Sequence, residues 1–190
     1  MRPLRSIRDR ILYFPDSQVD TDRLFPGEFL KRSEREGMAD ALLVYERFDA
    51  EGNPLEHPFN QENPPSILLT GAEFGTGSSR EHAVWALADF GIRVIIAPSF
   101  GDIFYSNCLN NGILALRLPE EACAQLAALE QEVLVLVEEQ RVEVPASADL
   151  RFSFALDPFR KACLLAGTDM LGYVLDREEE ISAYERKKYK

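Results

Sequence analysis

Three times between residues 67 and 131 a short apolar run gives way to an amphipathic stretch, and that alternation leaves the chain few ways to fold. Strands are expected at 67–70, 93–97 and 113–118, and helices at about 79–90, 100–110 and 119–131. Such an order builds a parallel sheet whose strands are joined by crossover helices. Val94-Ile-Ile-Ala97 and Ile113-Leu-Ala-Leu116 are apolar throughout, as strands covered on both faces must be. Outside the alternating unit, Ile11–Phe14, Val133–Val137, Val142–Val144 and Arg151–Leu156 read as additional strands. From Asp157 two helices are expected, broken near Gly167-Thr168, with some of Phe159, Leu164, Leu165, Met170, Leu171 and Leu175 packed on the sheet.

No Ser/Gly/Pro-rich linker or repeat divides the 190 residues, so one domain over 1–190 is expected, the C-terminal helices of about 157–189 packed on it. Glu51-Gly-Asn-Pro54 to Asn63-Pro-Pro65 reads as a long polar surface loop. A net charge of −11 disfavours nucleic acid and anionic membranes as partners, since both require a basic face. No apolar run approaches the roughly 20 residues of a spanning helix, and the start of the chain is too charged for a signal sequence. A cytoplasmic location is expected.

The first strand–helix junction, Gly71-Ala-Glu-Phe-Gly-Thr-Gly-Ser-Ser-Arg-Glu-His82, combines three glycines with two hydroxyls and a guanidinium. Ala83, Ala86, Leu87 and Phe90 then recur at helical spacing. With Ser78 or Ser79 as N-cap, free N–H groups of the helix start would face the junction, the arrangement of an anion site for a carboxylate or phosphate. A phosphate loop requires Gly-Lys-Ser/Thr, whereas Gly77 is followed by Ser78-Ser79-Arg80. The dinucleotide fingerprint requires glycine where Arg80 stands, and Arg93-Val-Ile-Ile-Ala-Pro98 ends without an acidic residue for a ribose.

Cys108, Cys123 and Cys163 are widely spaced and lack a Cys-x-x-Cys pair, so they read as buried reduced thiols rather than metal ligands. His57 and His82 read as surface or hydrogen-bonding residues.

Phe74-Gly-Thr-Gly-Ser-Ser-Arg-Glu-His-Ala83, Ile96-Ala-Pro-Ser-Phe-Gly-Asp-Ile-Phe104 and Asn110-Asn-Gly112 together resemble the small subunits of bacterial 3-isopropylmalate dehydratase, counterparts of the swivelling domain of aconitase. Val19-Asp-Thr-Asp22, Phe29-Leu-Lys-Arg32 and Asp157-Pro-Phe-Arg-Lys-Ala-Cys163 extend the resemblance over nearly the whole chain. It implies a layered β/β/α swivelling domain with a central, mostly parallel sheet. It also implies half of a hydro-lyase of leucine biosynthesis, which interconverts 2-isopropylmalate and 3-isopropylmalate by dehydration and rehydration. By the same resemblance this chain binds no cofactor, and a [4Fe-4S] cluster belongs to a large partner subunit, without which the chain is inactive.

The resemblance carries the role of base to Ser78 and that of binding a malate-type dicarboxylate to Ser79 and Arg80. A serine can act as a base only where a guanidinium and helix-terminal N–H groups converge on its oxygen in a dry site. Asp20 is a candidate to orient an arginine or the base, or else simply to bond its own turn. Lys31 and Arg35 lie in what the resemblance makes a mobile, substrate-reading loop, as carboxylate contacts or as exposed charge.

Thr76 and Val84 stand where the family commonly has cysteine and proline, and Arg35-Glu-Gly-Met-Ala39 replaces its Arg-Thr-Gly-Phe-Gly. Two alternatives therefore stay open: the small subunit of a related alkyl- or aryl-malate isomerase, and a non-catalytic anion-binding module of the same fold.

Overall fold

Runs of four apolar residues are too short for helices and are buried most completely as neighbouring strands, which is how this chain uses them. The computed structural model describes residues 1–31, 37–77 and 80–188. Strands β1 (Ser6–Asp9) and β2 (Ile11–Phe14) come first, followed by the single-turn helices α1 (Thr21–Leu24) and α2 (Val44–Arg47). The alternating unit is β3 (Ile67–Thr70), α3 (Glu81–Phe90), β4 (Val94–Ala97), α4 (Asp102–Asn110), β5 (Leu114–Arg117) and α5 (Glu120–Ala127). Then come β6 (Val133–Leu136), β7 (Arg141–Val144) and β8 (Ser147–Ser153), and finally α6 (Pro158–Ala166), α7 (Met170–Leu175) and α8 (Glu178–Lys188).

One sheet runs β2-β3-β4-β5, every pair parallel, and a second runs β1-β6-β7-β8, every pair antiparallel. The strand period of two sends Ile67, Leu69, Val94, Ile96, Leu114 and Leu116 to one face of the parallel sheet. There they meet Val133, Val135, Val142 and Val144 of the antiparallel sheet and Leu126 of α5. Leu68, Ile95 and Ala115 face the other way, onto Ala83, Val84 and Leu87 of α3 and Phe104 and Cys108 of α4. The layers are thus sheet, sheet and helices, the expected β/β/α order. Each large apolar side chain so covered stabilises the fold by about 1.5–3 kcal/mol.

Two expectations are corrected. Ile11–Phe14 does not lie outside the parallel unit: Ile11 is in register with Ile67 and Phe14 with Thr70. As an edge strand it exposes Tyr13 while burying Leu12 and Phe14, so it carries the alternation of a half-covered strand. The C-terminal region forms three helices rather than two. Gly167, at φ 73°, closes α6 in a left-handed cap, and Asp169 then caps α7 by accepting from Gly172 N–H at 2.7 Å. Leu164 is buried, but Met170, Leu171 and Leu175 are exposed.

The polar segment 51–65 is anchored by Phe59, whose ring lies 5.8 Å from Phe14 and 5.1 Å from Phe90. Beside it Arg47 Nε donates to Asn60 Oδ1 at 2.9 Å, and Asn60 Nδ2 returns a bond to Arg47 O at 2.6 Å. Among the described residues no helix is long and apolar enough to cross a membrane.

Candidate active site at the glycine-rich junction

After Thr70 the chain crosses the carboxyl ends of the parallel strands before α3 begins at Glu81. The loops that follow β2 and β4 grip this crossing from both sides. Gly75 N–H donates to Val19 O at 2.7 Å and Thr21 N–H to Thr76 O at 2.9 Å on one side. On the other, Phe74 N–H donates to Ser99 O at 3.2 Å and Gly101 N–H to Phe74 O at 3.0 Å. The crossing is held like a strand between two neighbours, at the edge of the sheet where open α/β folds bind their ligands.

Two glycines make that route passable. Gly75 sits at φ +76°, and a Cβ there would lie 2.1 Å from the Phe104 ring. A Cβ on Gly71 would lie 2.4 Å from Ser17 Oγ and 2.7 Å from Asp16 O. Neither position has room for a side chain.

Arg80 occupies the cap position of α3, in extended geometry and without a side-chain cap bond. The cap expected at Ser78 or Ser79 therefore lies one or two residues further on. Ser78, Ser79 and Arg35 themselves lie outside the described residues. The Arg80 side chain is 25% exposed, and its Nη1 stands 2.6 Å from Asp22 Oδ1. Its guanidinium lies against Gly27, where a Cβ would come within 3.5 Å of Nη1. Gly27 opens the turn Gly27–Lys31, so the exposed Lys31 closes a turn that begins on Arg80.

Asp20 caps α1 by accepting from Arg23 N–H at 2.6 Å, the backbone role among those open to it. The carboxylate on Arg80 is Asp22, which the sequence reading missed. Positions two apart in a helical turn point to opposite sides, so an Asp20 bonded to its own backbone turns Asp22 outward to a different partner.

The start of α3 is also tied to the end of α4. Asn111 Nδ2 donates to Glu81 Oε1 at 2.7 Å, and Asn111 Oδ1 accepts from Trp85 Nε1 at 3.1 Å. His82 stacks on Phe25 at 5.8 Å and tilts against Trp85 at 4.8 Å, so it packs among aromatic rings. His57 is half-buried, its ring 5.6 Å from that of Phe14, and accepts from Phe59 N–H at 3.3 Å, the hydrogen-bonding role expected of it.

Cys108, Cys123 and Cys163 are free, buried and distributed over α4, α5 and α6. Burial raises all three thiols, Cys123 to about 11 with help from Glu120. Iron–sulfur ligation requires converging thiolates, so these cysteines do not fit a cluster. Among the described residues no three His, Cys, Asp or Glu side chains are grouped to hold a metal ion.

Residues 12–121 match the family model described as the aconitase C-terminal domain. The small subunit of 3-isopropylmalate dehydratase from Roseiflexus castenholzii is 42% identical over 97% of this chain and 94% of its own length. The corresponding subunit from Parvibaculum lavamentivorans is 44% identical over 91% and 89%, and that from Geobacillus kaustophilus 42% identical over 98% and 98%. Among solved structures, 3-isopropylmalate dehydratase from Methanocaldococcus jannaschii superposes with a TM-score of 0.70 at 23% identity, covering 94% of this chain and 99% of that one.

Proposed function

The chain belongs to the aconitase C-terminal domain family, and from that membership we propose that it is the small subunit of a 3-isopropylmalate dehydratase. The observation carrying this reading is identity of 40–44% with named small subunits along nearly the full chain. The reaction removes water from one isopropylmalate and returns it in the opposite sense, and the enzyme is a hydro-lyase built from two chains. In this reading residues 1–190 act as one swivelling domain in the cytoplasm, completing an active site at the interface with a large subunit.

Each group on this chain then has a task set by the acidity of the substrate. The proton to be removed lies next to a carboxylate and is weakly acidic, so the base must be strong and the developing charge must be held. Ser78 Oγ takes that proton, while Ser79 and the Arg80 guanidinium bind a substrate carboxylate. Asp22 supports this role for Arg80 through one close charged contact at Nη1, and the packing against Gly27 restricts the guanidinium further. The positive end of α3 adds to the attraction for the anion. An iron–sulfur cluster bound by the large subunit would supply the Lewis acid for the departing hydroxyl; the cysteines of this chain do not fit that duty.

The test is reconstitution. The purified chain alone should show no dehydration of isopropylmalate and no stoichiometric iron or sulfide after anaerobic reconstitution. Adding the large subunit should restore turnover, with isopropylmalate preferred in a panel of alkyl and aryl malates. A complex with intact cluster that ignores isopropylmalate but turns over another substituted malate would transfer the assignment to that isomerase.

A further inference from the structure

Seven of the twelve large apolar side chains exposed among the described residues fall between Phe159 and Tyr184. Neither α7 nor α8 contributes a buried residue. Helices of six and eleven residues are too short to persist in water on their own propensity, and among the described residues the apolar faces of these two stay largely uncovered. On α7, Leu171, Val174 and Leu175 follow the three-and-four spacing that places them on one face. Leu171 and Glu81, the residue next to Arg80, both line a cleft of about 480 Å³. Val174 lines an apolar groove with Phe159, Ile181 and Tyr184. Cleft, helix face and groove form one strip that runs from the rim of the candidate active site out along the C-terminal helices.

We propose that this strip docks the large subunit, an inference that rests on the two-chain reading above. The argument for that occupant is continuity. A chain that closes over Arg80 meets Glu81 first and Leu171 next. Six residues of α7 extend the contact by about 9 Å beyond the site, toward the roughly 800 Å² per partner that a stable interface requires. The cleft is lined by Glu81 and Asp169 and by no lysine or arginine. The partner segment seated in the cleft is therefore polar and basic, the part that covers the groove beyond it is apolar, and a second copy of this acidic chain matches the cleft poorly.

The experiment measures affinity separately from chemistry. The double variant Leu171→Glu/Leu175→Glu and, independently, Tyr184→Glu are titrated against the purified large subunit by calorimetry, with thermal melts of each variant alone. All three side chains are more than half exposed, so both proteins should melt like the wild type. The dissociation constant should rise at least about 30-fold for the double variant, with kcat at saturating subunit within twofold of wild type. Arg80→Ala should bind with unchanged affinity and fail in turnover. Wild-type affinity in both glutamate variants overturns the docking strip and leaves the two-chain reading standing. Failure of the wild-type chain to bind the large subunit overturns both. Self-association of the isolated chain, abolished by the glutamates while large-subunit affinity holds, assigns the strip to a second copy and also overturns it.

Discussion

Arg80 Nη1 lies 2.6 Å from Asp22 Oδ1, so a guanidinium at the start of α3 is paired with a carboxylate in the first turn of α1. The aspartate side chain is 57% exposed, and water screens such a pair to at most about 1 kcal/mol of stability. Its value is orientation. Asp22→Asn should leave the melting temperature nearly unchanged while lowering kcat/KM of the two-chain enzyme about tenfold or more, mainly through KM. Melting curves and steady-state kinetics together check this, and an unchanged kcat/KM would remove Asp22 from the site.

Ser78→Ala should lower kcat of a complex with intact cluster by about 10²–10⁴-fold with little change in KM, because a base is needed only as the proton leaves. Loss of a helix cap alone would cost about 0.5–2 kcal/mol of stability and spare turnover. Arg80→Lys should impair both KM and kcat, since a point charge cannot reproduce the planar fork. A Ser78→Ala complex retaining more than about a tenth of wild-type kcat, under roughly 1.4 kcal/mol of barrier, would move the base to the large subunit.

His57 supplies a pH dependence. Burial lowers its pKa from the usual 6.5, opposed by Glu46 4.0 Å away and reinforced by the charges of Arg47 and Arg23. The unfolded chain therefore binds the proton more readily than the folded one, so stability present above pH 6.5 is lost as pH falls below it. Denaturant titrations between about pH 7 and 5 should show a shallower acid decline for His57→Gln than for wild type. Parallel declines would mean that the imidazole is not the titrating group.

Gly75→Ala should damage the junction without touching its chemistry. The new Cβ would strike the Phe104 ring and occupy a left-handed backbone, and overpacking alone costs about 1–3 kcal/mol. A fall of roughly 3–10 °C in melting temperature is expected for a chain of this size. No change would show that Phe104 can move aside.

The alternation of period between 67 and 131 was enough to read the parallel sheet, its helices and the place of the junction, because strand and helix periods are local properties. The ends of elements were less legible. The cap of α3 falls on Arg80, against the usual preference for serine, because the crossing is held by the loops on either side of it. β2 was readable as a strand but not as a member of the parallel sheet, since its partner Ile67–Thr70 lies more than fifty residues away. Asp22 was missed for the same reason, its partner Arg80 being set by tertiary structure. The break between α7 and α8 at Asp176-Arg177 carries no glycine or proline to announce it.

The single residue Arg10 separates β1 from β2 and sends the chain from one sheet to the other. Among the described residues β1 pairs with β6 alone, Ser6 opposite Leu136 and Asp9 opposite Val133. During synthesis at roughly 5–20 residues per second, this first strand waits on the order of ten seconds for a partner that has not yet been made. β2 can be paired much earlier, once β3 emerges. Newborn chains therefore carry an unpaired leading edge beside a sheet already forming, the condition under which strands from neighbouring nascent chains find each other. The strand Ser6-Ile-Arg-Asp9 holds a single apolar residue beside two charges, which makes that edge a poor template for such mispairing until its own partner arrives.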